Sequence, residues 1–218
     1  MKLRVSNRKA MALTLIETLV LILSIVVLAA IFLPALAAAK KKSSKIGCTN
    51  NLKQLGLSFR IWSGDNGDKY PMEVSVANGG AMESVVTGDV CSVFQVMSNE
   101  LSTPRILICP NDGEHTYATN FNSDFTAKNI SYFAGLDVYT NSPQVFLSGD
   151  DNFQVGGILV KSGLLEISSA TPVKWTAARH KFAGNIGLTD GNVQSVTSSG
   201  LLTLLQQTGL ATNRLAIP

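Results

Sequence analysis

Glu17 is the first residue in this chain whose type and position suggest chemistry, because it lies four residues inside an apolar segment that begins at Leu13. From Thr18 to Ala39 no residue is charged. An unpaired carboxylate in hydrocarbon costs on the order of 2–3 kcal/mol or more, so such residues generally have a partner and a function. Arg8 and Lys9 lie two turns or more back, beyond easy helical reach. A cut between Ala12 and Leu13 would create an α-amino group at the membrane boundary, and Glu17 of one subunit could neutralise the amine of its neighbour. The chemistry is then ion pairing between copies. The competing reading puts Glu17 in the headgroup region at the end of a shifted span.

The rest of the chain offers three weaker sets. His180 and Asp190 could serve a hydrolase, but no Ser or Cys nucleophile with a supporting acid stands at a recognisable spacing, so a structural role is favoured. Asp150, Asp151 and Asp190 are the candidate oxygen ligands for Ca²⁺, which takes 6–8 oxygens from carboxylates and loop carbonyls. Against this, the chain has no EF-hand spacing, and Asp-Gly and Asp-Asn are ordinary turn residues. No other cofactor is expected. Cys91 and Cys109 enclose 17 residues, a loop whose closure by a disulfide would contribute about 3 kcal/mol in an oxidising compartment. Two unpaired core thiols are the equal alternative, and Cys48 reads as an apolar face residue of a helix. His115 stands alone in a polar loop and is expected to be exposed.

These residues must be positioned by a long helix and a head. About 20 apolar residues suffice to cross the hydrocarbon core, so residues 13–39 are long enough to span, inside a helix expected over 13–63. Pro34 falls within it and is expected to kink the axis. Beyond the lysines, Cys48, Leu52, Leu55, Phe59 and Trp62 recur at helical spacing and predict a buried stripe, with Asn50, Asn51, Lys53, Gln54 and Arg60 on the flank away from the head. Turn formers from Ser63 to Asp68 end the helix. Asp89 is the expected N-cap of a second amphipathic helix reaching Leu101. Short β-type runs follow at 105–109, 130–133, 145–147, 157–160, 164–167 and 173–175. The Asp190-Gly191 pair between alternating runs predicts a β-hairpin, because a tight turn needs positive φ. Ser198–Gln207 is expected to form a short C-terminal helix. Together these predict an α+β fold, with a long N-terminal helix on a small antiparallel-sheet head at 64–218.

The N-terminal residues resemble a known family. A basic leader (Lys2, Arg4, Arg8, Lys9), a small residue at Ala12, then Leu13-Thr14-Leu15-Ile16-Glu17 is similar to the class III leader of type IV pilins and type II secretion pseudopilins, whose usual pattern is Gly, cleavage, Phe-Thr-Leu-Ile-Glu. Glu17 then falls fifth and Pro34 twenty-second after the cut, two landmarks of that family's helix. Ala12 replaces the usual Gly and Leu13 the usual Phe. His180 followed after nine residues by Asp190-Gly191 resembles the H-X9-DG signature of a prepilin-like subgroup, as do the stretch from Cys48 to Leu57 and Cys109-Pro110. The resemblance implies a leader at 1–12 removed by a prepilin peptidase, methylation of the new N-terminus, and assembly with other pilin-like subunits on an inner-membrane platform. It also implies a leader in the cytoplasm and a periplasmic head. Some related pseudopilins hold Ca²⁺ in a late loop, so the resemblance favours the Ca²⁺ expectation. His180 is expected to hydrogen-bond the hairpin that carries Asp190.

Composition narrows the remaining classes. The chain has 218 residues, 18 Lys plus Arg and 15 Asp plus Glu, a formal charge of +3. Removing the leader takes away four basic residues and no acidic one, leaving 14 against 15, so no nucleic-acid partner is expected. Lys40, Lys41, Lys42 and Lys45 match the leader in number, so loop charge alone does not orient the span. A secretory signal with an Ala-x-Ala site near Ala35 to Ala39 is disfavoured by the length of the run and by Glu17. Two further alternatives keep the helix only as an anchor: a binding protein for carbohydrate or peptide, and the hydrolase on His180 and Asp190.

Overall fold

The computed structural model describes residues 14–122, 124–139 and 144–218. The leader, with Ala12 and Leu13, lies outside the described residues. The chain divides into two compact units, residues 1–42 and 43–218.

Helix α1 (Leu15–Asp65) runs through both units, continues through Pro34 and ends two residues beyond the expected stop. In the first unit every large apolar side chain from Leu15 to Leu36 is between 52% and 85% exposed. Among the described residues this is the one helix long and apolar enough to cross a membrane. Within the second unit α1 changes character. Cys48, Leu52, Leu55, Phe59 and Trp62 are all buried, as their spacing requires. Burying an aliphatic or aromatic side chain contributes roughly 1.5–3 kcal/mol, so this stripe is a main attachment of the helix to the sheet.

The second unit has an α+β fold. After α1 come α2 (Met82–Val85), α3 (Val90–Val96) and α4 (Ser98–Leu101). Asp89 caps α3 as expected, its carboxylate accepting from the Cys91 N–H at 3.0 Å. The single helix expected to reach Leu101 instead breaks at Met97. Residues 105–109, expected as a strand, begin as a 3₁₀ turn over Pro104–Leu107. There Thr103 caps the Arg105 N–H, and Pro104 at the first helical position pre-sets φ.

The strands are β1 (Tyr132–Gly135), β2 (Phe146–Asp150), β3 (Phe153–Val155), β4 (Ile158–Leu159), β5 (Gly163–Ser168), β6 (Val173–Trp175), β7 (Ala183–Leu188), β8 (Val193–Thr197) and β9 (Thr212–Ile217), with α5 (Ser198–Gln207) preceding the last. A six-stranded antiparallel sheet has the order β5-β9-β1-β2-β7-β8, and a three-stranded sheet the order β4-β3-β6. The inner strands β1, β2 and β7 of the large sheet are buried on both faces, and its edge strands β5 and β8 are partly exposed. Tyr132, Ala134, Leu147 and Ala216 join the core formed with α1, whereas Phe133, Phe146, Leu215 and Ile217 point the other way, to α5, Phe153 and Trp175. Every residue of β1 and β2 is buried, the polar Ser148 and Asp150 included. β9 was not expected from the sequence, yet it pairs with both β5 and β1.

Candidate functional site

Two places concentrate chemistry. The first is the start of α1, where Glu17 closes a capping box with Thr14. The Thr14 N–H and hydroxyl both donate to Glu17 Oε2 at 2.8 Å, and the Glu17 N–H returns a bond to the Thr14 hydroxyl at 3.4 Å. Two orphan donors of the helix end are satisfied in this way. Both residues lie beyond the Ala12/Leu13 junction, so a cut there leaves the cap intact. Among the described residues neither bond uses Oε1.

The second is a buried polar cluster where the end of β2, the start of β1 and the segment between β6 and β7 converge. At its centre the Arg179 side chain, 3% exposed, bridges Asp112 Oδ2 at 2.7 Å and Asp151 Oδ1 at 2.5 Å. It also donates to the Ser131 carbonyl at 2.8 Å. Asp112 collects the Ser131 hydroxyl at 2.6 Å and His115 Nδ1 at 2.8 Å. Burial alone would raise the Asp112 pKa, but the His115 hydrogen bond and the Arg179 charge carry it well below the usual carboxylate range. The Asp112 hydrogen bond correspondingly raises that of His115 against the opposing effect of burial. His115 is therefore a half-buried partner of Asp112 and Arg179, not the exposed loop residue expected from its isolation in sequence.

His180 lies beside this network, with Nε2 at 3.4 Å from Cys109 Sγ, 3.3 Å from Asn185 Nδ2 and 3.4 Å from Asp150 Oδ2. Asn111 approaches Nδ1 at 3.3 Å. Burial, then the positive charges of Arg179 and Lys45, lower its pKa to about 4, so the ring is neutral at physiological pH. Asp150 is fully buried, and burial raises its pKa to about 6 against the pull of Arg179 and of the Asn185 hydrogen bonds. Arg179, Lys181 and Phe182 all have positive φ, at 55°, 53° and 62°. Non-glycine residues in this conformation concentrate where surrounding contacts over-determine the backbone. Here the Phe182 N–H bonds the Thr176 carbonyl at 3.0 Å, and Asn152 Nδ2 bonds the Ala178 carbonyl at 3.1 Å.

The Asp190-Gly191 end of the motif serves a separate contact. β7 and β8 form the expected hairpin, pairing Asn185 with Ser195 and Gly187 with Val193. Only Gly191 takes positive φ, at 85°, and its N–H bonds the Leu188 carbonyl at 2.9 Å, the pattern of a type I turn followed by a left-handed residue. Asp190 Oδ1 accepts from the Asn192 N–H at 2.7 Å, and Arg60 of α1 donates to the Thr189 and Asp190 carbonyls. A Cβ on Gly191 would stand 3.0 Å from the Arg60 guanidinium carbon. His180 thus reaches the hairpin through Asn185, and Gly191 admits Arg60 to its tip. Arg60 and Asn51, which bonds the Ile108 carbonyl at 2.8 Å, are engaged with the head and do not lie on the flank away from it.

Two expectations are corrected. Cys109 pairs with Cys48, not with Cys91. Cys48 sits on the buried stripe of α1 directly under the turn that carries Cys109, whereas Cys91 on α3 is a free thiol whose pKa burial pushes up to about 11. The bridge spans 61 residues, and loop closure of that size corresponds to about 4 kcal/mol in the chain-entropy account. Nor does the structure bring Asp150, Asp151 and Asp190 together. Asp150 is bound by Asn185 and Asp151 by Arg179, while exposed Asp190 closes its own turn. Among the described residues the one group of three potential metal-ligating side chains is Cys48, Cys109 and His180. A cleft of about 410 Å³ opens over His115, Asp151, Asn152 and Arg179, whose charged groups are engaged with one another.

No family model, no curated protein and no solved structure matches this chain.

Proposed function

We propose that the chain is a structural subunit of a filament of the type IV pilus or type II secretion pseudopilus kind, processed by a prepilin peptidase and assembled through α1. The observation that supports it most is the combination, among the described residues, of an exposed apolar helix surface, Leu15 to Leu36, with one carboxylate at Glu17 held by Thr14, both residues beyond the proposed cut before Leu13. Cleavage creates an amine four residues from Glu17, and Glu17 of one subunit then neutralises the amine of the next. In this reading the leader faces the cytoplasm, the helix spans the inner membrane and the head is periplasmic. Assembly exchanges lipid contacts for helix packing and one ion pair. In this reading the head is non-catalytic, in keeping with the pairing of its buried Asp112, Asp151 and Arg179 with one another.

Intact-mass and N-terminal analysis of the protein from its native membranes tests this reading. The expected product starts at Leu13 with one added methyl, and an Ala12 substitution that blocks cleavage leaves the chain starting at Met1. A wild-type chain starting at Met1 would sink the processing pathway, and a start near Ala39 or Lys40 would identify a secretory signal.

A further inference from the structure

We propose that reduction of the Cys48–Cys109 disulfide converts this corner of the head into a closed binding site for a thiophilic divalent cation such as Zn²⁺, with Cys48, Cys109, His180 and Asp150 as ligands. The site is independent of the filament reading. It rests on four side chains from four parts of the second unit: α1, the turn after Leu107, the segment between β6 and β7, and the end of β2.

Cys48, Cys109 and His180 already group their ligand atoms, and Asp150 stands next to His180. With metal–ligand distances of 2.3 Å to sulfur and 2.0–2.2 Å to nitrogen and oxygen, ligand atoms in a tetrahedron stand about 3.4–3.8 Å apart. His180 Nε2 already lies 3.4 Å from Cys109 Sγ and 3.4 Å from Asp150 Oδ2. The two sulfurs and Nε2 all fall within 4.8 Å of one another. Opening the disulfide requires the sulfurs to separate to about 3.8 Å, a movement available to two side-chain rotations. All four residues are buried, and among the described residues Asp150 Oδ1 is a buried oxygen with no hydrogen-bond partner, an arrangement that is costly unless something positive reaches it.

The supporting shell is present as well. Metal-bound histidines generally hold their second ring nitrogen in a hydrogen bond, and ligating carboxylates are themselves hydrogen-bonded. Asn111 approaches His180 Nδ1, and with its amide turned so that the carbonyl accepts Nδ1–H, Nε2 presents its lone pair to the sulfurs. Asp150 Oδ2 is fixed by the Asn185 N–H and Nδ2 at 2.7 and 2.8 Å. Four protein ligands without an open position make a structural centre. The reaction balances with a dithiol as reductant: it transfers two electrons and two protons to the disulfide, becomes a disulfide itself, and leaves two thiols. The cation then displaces both thiol protons to solvent. Either the covalent bond or the metal ties Cys48 of α1 to Cys109, so the head keeps one cross-link in oxidising and in reducing surroundings.

The test is a Co²⁺ titration of the full chain in detergent micelles, reduced anaerobically with dithiothreitol and freed of reductant. Reduced wild type is expected to develop a thiolate-to-cobalt charge-transfer band and the strong visible bands of tetrahedral Co²⁺, saturating at one ion per chain and bleached by one equivalent of Zn²⁺. Oxidised wild type gives neither. Cys48→Ser and Cys109→Ser lose the thiolate band or most of it, Cys91→Ser keeps it, and His180→Ala and Asp150→Asn bind Co²⁺ at least tenfold more weakly. The oxidised-against-reduced comparison needs no substitution, and near-ultraviolet circular dichroism reports whether the reduced head is folded. A folded reduced chain without the band overturns the proposal, as does a reduced chain that unfolds and is not restored by Co²⁺. A band lost in Cys91→Ser but retained in Cys48→Ser overturns it too.

Discussion

The first unit of α1 and the polar cluster of the head handle charge in opposite ways. Around Arg179 three carboxylates, two histidines and an arginine are withdrawn from water, and nearly every one is compensated inside the chain: Asp112 by Arg179, His115 and Ser131, Asp151 by Arg179, Asp150 by Asn185. Around Glu17, among the described residues, Thr14 bonds the carboxylate and the neighbouring large apolar side chains are exposed. A buried charge satisfied internally is costly to unpair, so it ties together the segments that supply its partners. A charge set in an apolar surface that the chain leaves uncovered is available to whatever covers that surface.

The largest effect expected from breaking this contrast is at Glu17. Under the proposed filament function, Glu17→Leu should leave membrane insertion and head stability unchanged yet reduce assembled filaments by tenfold or more, measured as the sheared or cross-linked multimer fraction. Equal assembly by the variant would remove Glu17 from the mechanism. The converse change is Arg179→Met, which leaves Asp112 and Asp151 buried without their cation. Breaking a buried pair by removing one partner costs on the order of 3–5 kcal/mol, so the urea midpoint of the head should fall steeply while the apolar helix partitions into membrane as before. A loss below about 1 kcal/mol would show that the cluster is hydrated and dispensable.

The smallest effect concerns pH. The folded-state pKa of His115 is raised above 6.5, mainly by the hydrogen bond to Asp112, so the folded state holds this proton more tightly than the unfolded chain. Its stabilisation is therefore fully present below about pH 6.5 and is lost as pH rises through the folded value. The stability difference between wild type and His115→Gln should be largest near about pH 6, on the order of 1 kcal/mol for this partly buried pair, and shrink toward about pH 9. A difference that grows with pH would mean that His115 acts as a neutral packing residue.

What was legible in the sequence depended on local periodicity. The buried stripe Cys48 to Trp62, the Asp89 cap, the β7–β8 hairpin and the limits of α5 each follow from side chains a few residues apart, where backbone geometry alone sets who faces whom. β9 was missed because its apolar run, Leu215 to Ile217, is short and follows the polar Thr212, Asn213 and Arg214, and its partners lie on distant strands, as in Ser168 with Thr212 and Ala134 with Ala216. The 105–109 segment looked like a strand on composition, but Thr103 and Pro104 favour a helical turn.

The sequence by itself determined the long apolar helix, its one carboxylate and the α+β alternation of the head, since these rest on composition and on periods of two and of 3.6 residues. Only the tertiary structure decided that Cys48 and not Cys91 meets Cys109, that His115 and Arg179 share Asp112, and that Arg60 reaches the hairpin tip. A disulfide, a buried ion pair and a side chain capping another element's carbonyls are contacts between distant segments. Which distant residues meet follows from how the helix and sheets pack, and no local pattern records it.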